Sequence, residues 1–218
     1  MFWLIMQNIS VLVLLLSSIL VHQVYCSYKI LHGDRVINWK TNSYKFAVYM
    51  FGKSVCSGGW LGGNKVLSAA HCMCEPERPD QAMFQRANDQ SKDVEIVKIR
   101  TNVQQRIFKY CDKVVQGNTQ FKLDIAVVVL EKAPVAKDIA QLSVNYKDTP
   151  PMNDVVTMVA YGLDEKGAFG NLETGRLRIC KCPPDVQLHE PLCGCALKEF
   201  KDQEAANGDS GGPVMWKD

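Results

Sequence analysis

The chain has 218 residues, and its 25 Lys and Arg against 23 Asp and Glu leave a formal charge of only +2, so no basic excess recommends nucleic acid as a partner. With 47% hydrophobic and 22% charged residues, 15 Gly and 9 Pro, the composition excludes a disordered or collagen-like chain and is rich enough to bury a core.

From the amino terminus, Ile9 to Val21 (ISVLVLLLSSILV) is nearly all apolar. The run is short for a bilayer span and is followed by the more polar HQVYCS, which suits a secretory signal cut before Ser27, occupying residues 1–26. A membrane anchor is the competing reading, because no Lys or Arg precedes the run. Nine cysteines occur, at Cys26, Cys56, Cys72, Cys74, Cys111, Cys180, Cys182, Cys193 and Cys195. Removal of Cys26 with the signal leaves an even set, as expected for disulfides in an oxidising compartment. A mature product without the apolar run has no stable membrane span.

Beyond residue 27 no helical period persists, whereas short Val-, Ile- and aromatic-rich runs recur between Gly, Pro and Asn. The expected class is all-β, with strands at Tyr44–Met50, Trp60–Ser68 (turning at Gly62-Gly63-Asn64), Val94–Arg100, Ile125–Leu130, Val155–Tyr161 and Leu177–Cys182. The polar stretch Glu75–Asp93 reads as a surface loop with room for a short helix. The run DIAVVVL, opened by Asp124, lacks alternation and is expected to be buried on both faces.

Three strings carry chemistry. LSAAHC (Leu67–Cys72) places His71 just past a strand, where a purely structural histidine would also fit. Asp124 stands at the mouth of an apolar strand, where a carboxylate is costly unless something polar or cationic meets it. In NGDSGGPV (Asn207–Val214), glycines at 208, 211 and 212 surround Ser210 and let main-chain N–H groups converge beside a hydroxyl, as an oxyanion site requires.

SAAHC, DIA and GDSGGP, in that order, together with CSGGW at 56–60, resemble the chymotrypsin-trypsin serine endopeptidase family from about Ile30 to the end of the chain. The resemblance implies two antiparallel six-stranded β-barrels with an active site between them. It implies Ser210 as nucleophile, His71 as general base and acid, Asp124 as its orienting carboxylate, and the N–H groups of Gly208 and Ser210 as the oxyanion hole. It also implies a Cys56–Cys72 disulfide, and a disulfide from Cys195 to either Cys180 or Cys182. A zymogen cut at Lys29-Ile30, after a propeptide of residues 27–29, would free an amino terminus to pair with Asp209. Leu31 and His32 depart from the family's usual residues there.

Glu204, six residues before Ser210, resembles the floor of the primary specificity pocket and would favour Lys or Arg; Ala206 replaces a family cysteine. The chain stops eight residues after Ser210, so the second barrel is expected to be incomplete as written. The expected partners are protein or peptide substrates, an activating protease and protein inhibitors, with no cofactor and no metal. Two competing readings remain: a non-catalytic homologue acting as a binding or regulatory module, and a zinc cluster built from Cys180, Cys182, Cys193 and Cys195.

Overall fold

A computed structural model describes residues 33–74, 78–85, 94–100, 124–144, 148–164, 166–182, 192–200 and 203–216. Its strands are β1 (Asp34–Arg35), β2 (Ala47–Gly52), β3 (Cys56–Gly62), β4 (Lys65–Ser68), β5 (Pro79–Phe84), β6 (Glu95–Lys98), β7 (Ala126–Val129), β8 (Val155–Ala160), β9 (Glu173–Lys181), β10 (Leu192–Cys195) and β11 (Val214–Met215). Short 3-10 turns cover His71–Met73 and Lys198–Phe200. The all-β expectation holds, and every strand pairing is antiparallel.

The first sheet runs β6-β5-β2-β3-β4-β7. A bridge between Ile99 and Leu130 joins its ends, reinforced by the bonds Arg100 N–H to Val129 O (2.8 Å) and Glu131 N–H to Lys98 O (2.9 Å). Closure removes the free edges that an open sheet would expose. Val48, Met50, Val66, Phe84, Val97, Val128 and Leu130 fill the interior.

The second sheet runs β1-β9-β8-β11, with β10 also on β9. β1 pairs near the start of β9 and β10 near its end. The described strands thus form an open five-stranded half-barrel over Val156, Met158, Ala160, Leu177 and Ile179.

The segment Ala47–Met50 is buried at every position, although a strand alternates its faces. Val48 and Met50 point into the first barrel, while Ala47 and Tyr49 pack with Val159, Tyr161 and Leu172 between the two units. The Tyr49 and Tyr161 rings lie 5.5 Å apart. β2 is therefore the seam of the molecule, and its uninterrupted apolar run reflects two separate cores.

Two expectations need correction. The run at Asp124 is not buried on both faces: Ala126 and Val128 are 7% and 2% exposed, but Ile125 and Val127 are 59% and 47% exposed. On the barrel wall only alternate residues reach the interior, whatever their hydrophobicity. The stretch read as a surface loop contains β5, which pairs with both β2 and β6. Its polar flanks masked Ala82, Met83 and Phe84, all buried. The turn at Gly62-Gly63-Asn64 lies as expected between β3 and β4, with both glycines at positive φ.

Disulfides join Cys56 to Cys72, Cys180 to Cys195 and Cys182 to Cys193. The last two clamp β9 to β10 and consume the thiolates a zinc cluster would need. Among the described residues no helix is long and apolar enough to cross a membrane. The proposed signal and Cys111 lie outside the described residues.

Candidate active site

The pairing of β4 with β7 builds the first half of the site. Ser68 stands opposite Ala126, so the chain leaving β4 and the chain entering β7 meet at one end of the barrel. His71 and Asp124, 53 positions apart, become neighbours there. Asp124 Oδ2 lies 2.6 Å from His71 Nδ1, and Asp124 Oδ1 accepts the His71 backbone N–H at 2.9 Å. Two bonds to one residue fix both the carboxylate and the ring. Burial alone would raise the Asp124 carboxyl. The His71 ring and backbone bonds, the His71 charge and the Ala70 N–H outweigh that effect and hold it below its ordinary value. The side chains remain 40% and 36% exposed, and the His71 ring lines a cleft.

The second half is the turn that carries Ser210. Gly208 and Gly211 have φ of +90° and +81°, a region that side chains with a Cβ rarely enter. A Cβ at Gly211 would also strike Ser68 Oγ, Ala69 N and Ser57 O. Gly211 thereby lets the turn lie directly against the end of β4, while Gly208 packs against Gly162, Val55 and Phe169. Among the described residues no acceptor takes the N–H of Gly208 or Ser210.

The two halves share a cleft of about 690 Å³, lined by His71, Gly208 and Ser210 and walled by Val55 and Phe169. Within it His71 Nε2 lies 3.8 Å from Cys72 Sγ. His71 and Ser210 are not hydrogen-bonded to each other in this state. Hydrogen bonds of this kind often tighten only when substrate binds.

Asp209 is 4% exposed and accepts the N–H groups of Gly162 (2.9 Å) and Ala206 (2.6 Å). Burial, with a smaller contribution from the Glu173 charge, pushes its carboxyl up to about 7. Lys29, Ile30 and His32 lie outside the described residues. Glu204 is exposed and does not line the cleft that holds His71 and Ser210.

Sequence reasoning missed several supports. Asp164, 1% exposed, accepts the N–H groups of Lys166 (2.9 Å) and Ala168 (2.8 Å) and the Asn171 amide (2.7 Å), and pairs with Arg35. This knot shapes the loop that presents Phe169. An aspartate in YGLDEKG carries no mark of burial, so only packing could identify it. Ser57, also missed, lies at the junction of the two halves.

The Trypsin family model matches residues 36–218. The cercarial protease of Schistosoma mansoni is 28% identical over 176 residues, which cover 75% of this chain and 66% of that protein. The alpha- and beta-fibrinogenase OhS1 of Ophiophagus hannah is 27% identical over 219 residues, covering 94% and 79%. Among solved structures, neuropsin, a serine protease expressed in the limbic system of mouse brain, superposes with a TM-score of 0.60 at 17% identity, covering 85% of this chain and 82% of that one. A Glu endopeptidase in complex with MPD gives 0.61 at 13%, covering 85% and 80%. At these identities the two structural likenesses concern the fold alone.

Proposed function

Because this chain belongs to the trypsin family, we propose that it is a serine endopeptidase that hydrolyses peptide bonds in proteins or peptides through a covalent acyl-enzyme. The observation that carries this reading is that His71, doubly bonded to Asp124, lines the same cleft as Ser210.

Ser210 Oγ attacks the scissile carbonyl, and His71 takes its proton and returns it to the leaving amine. Asp124 keeps a hydrogen bond on Nδ1, which leaves Nε2 to serve as the base and stabilises the imidazolium that forms. The N–H groups of Gly208 and Ser210 receive the developing oxyanion. Water then hydrolyses the acyl-enzyme by the same relay. Substrate binding in the cleft that both side chains line is expected to close the gap between Nε2 and Ser210 Oγ.

The protein is secreted, in this reading, and made as a zymogen. Cleavage at Lys29-Ile30 supplies an ammonium for Asp209, whose buried carboxyl has no cationic partner among the described residues. An activating protease and protein inhibitors are its other partners. Glu204, outside the lining of the cleft, gives Lys or Arg at the cleaved bond no more than a weak, solvent-screened preference.

The test is a fluorophosphonate probe applied to the protein cleaved after Lys29. Stoichiometric labelling, abolished by Ser210→Ala, supports the reading. A folded, cleaved protein that takes no label would overturn it in favour of a non-catalytic binding module.

A further inference from the structure

Ser57 is 1% exposed, deep where a hydroxyl is costly unless it is bonded. Its side chain makes two bonds: Oγ donates to Gly208 O at 2.9 Å and accepts the Tyr161 N–H at 2.8 Å. Its backbone makes two more: the Ser57 N–H donates to Ser210 O at 2.9 Å, and Ser57 O accepts the Ser68 hydroxyl at 2.8 Å. The carbonyls on both sides of Asp209 are therefore tied to this one residue of β3. The Ser210 N–H lies in the peptide link between those two anchors. The preceding residue, Cys56, is bonded to Cys72 and so holds the turn that carries His71.

We propose that Ser57 is a positioning residue for the nucleophile turn: its hydroxyl orients Gly208, its amide holds Ser210, and with Cys56 it sets the spacing of the two halves of the site. The inference rests on the proposed hydrolase chemistry. Gly208 needs such a restraint because its φ of +90° lies where glycine is free to take several conformations. Deleting the hydroxyl leaves Gly208 O and the Tyr161 N–H buried without their partner. The Gly208–Asp209 peptide then turns to find another donor, and because it links the two oxyanion donors, the Gly208 N–H before it and the Ser210 N–H after it, their alignment on the cleft is lost.

The test compares wild type with Ser57→Ala, both cleaved after Lys29, with rates expressed per site titrated by the fluorophosphonate. That normalisation removes any loss of folded protein. The expected result is a fall in kcat of about tenfold to hundredfold with KM nearly unchanged. Affinity for a peptide aldehyde, whose adduct carries an oxyanion, falls in parallel, while affinity for the matching peptide alcohol holds. Should Ser57→Ala not fold, Ser57→Cys keeps the shape with weaker bonding and is expected to show the same split. An unchanged kcat per titrated site, or equal losses for aldehyde and alcohol, overturns the inference while leaving the hydrolase reading intact. An unlabelled wild type overturns both.

Discussion

Asp124 holds His71 at two points, Oδ2 against the ring Nδ1 at 2.6 Å and Oδ1 against the backbone N–H at 2.9 Å. A single bond would leave the carboxylate free to swing. Two bonds make orientation of the imidazole a property of the barrel end, because β4 and β7 are already paired there. Asp124→Asn preserves the shape but offers an amide where a carboxylate stood, favouring the wrong tautomer. The expected loss in kcat is about 10⁴-fold, with phosphonate labelling slowed in proportion.

The lowered Asp124 carboxyl also has a sign. Protonating a group held below its ordinary value of 3.8 breaks favourable bonds. Its contribution to stability is complete at neutral pH and disappears as the pH falls through the folded value.

Asp209 behaves in the opposite sense. Its folded value of about 7 lies above the ordinary 3.8, so between these limits the native state holds a proton that the unfolded chain releases. Stability of the uncleaved protein is expected to fall as pH rises from about 4 to 7, by up to about 1.4 kcal/mol per pH unit. The neighbouring charges are Glu173 and, paired with it, Arg35. Urea unfolding across that range should show the slope, and Asp209→Asn should flatten it. Cleavage after Lys29 should flatten it too, since an ammonium partner favours the charged carboxylate. An undiminished slope in Asp209→Asn would sink this account.

Asp164 is a knot of buried bonds beneath the loop that carries Phe169. Asp164→Ala leaves Arg35 and three N–H donors without their common acceptor. A loss of about 2–3 kcal/mol in unfolding free energy is expected, from the donors left unpaired. Because Phe169 walls the cleft, KM for peptide substrates should rise more than kcat falls; a variant whose stability and KM both match wild type would contradict this.

Glu204 is exposed, so water and salt screen its charge, and an exposed ion pair is worth about 1 kcal/mol or less. Glu204→Gln should alter the ratio of kcat/KM for Lys over Leu substrates by less than about fivefold. A larger change would mean that substrate binding buries this carboxylate.

Much of the molecule was legible in one dimension. Short β-branched runs between turn residues gave the all-β class, and the glycines around Ser210 announced a turn closed to other side chains. His71 and Asp124, each ambiguous alone, were singled out only by the order SAAHC, DIA, GDSGGP and the family resemblance it carries. β5 was hidden because its buried residues, Pro79 and then Ala82, Met83 and Phe84, stand in a polar stretch and follow no alternating period. DIAVVVL misled because hydrophobicity records what a residue tolerates, and barrel geometry alone decides that Val127 faces outward.

The sequence by itself determined the chemical groups, their order and the strands that carry them. Tertiary structure alone decided that Ser57, inside the CSGGW segment but with no role legible there, gathers the carbonyls of Gly208 and Ser210, and that Asp164 lies buried under the Phe169 loop. The reason is physical: a hydrogen bond between residues 151 positions apart is created by the packing of two sheets, and no local preference of the chain encodes it.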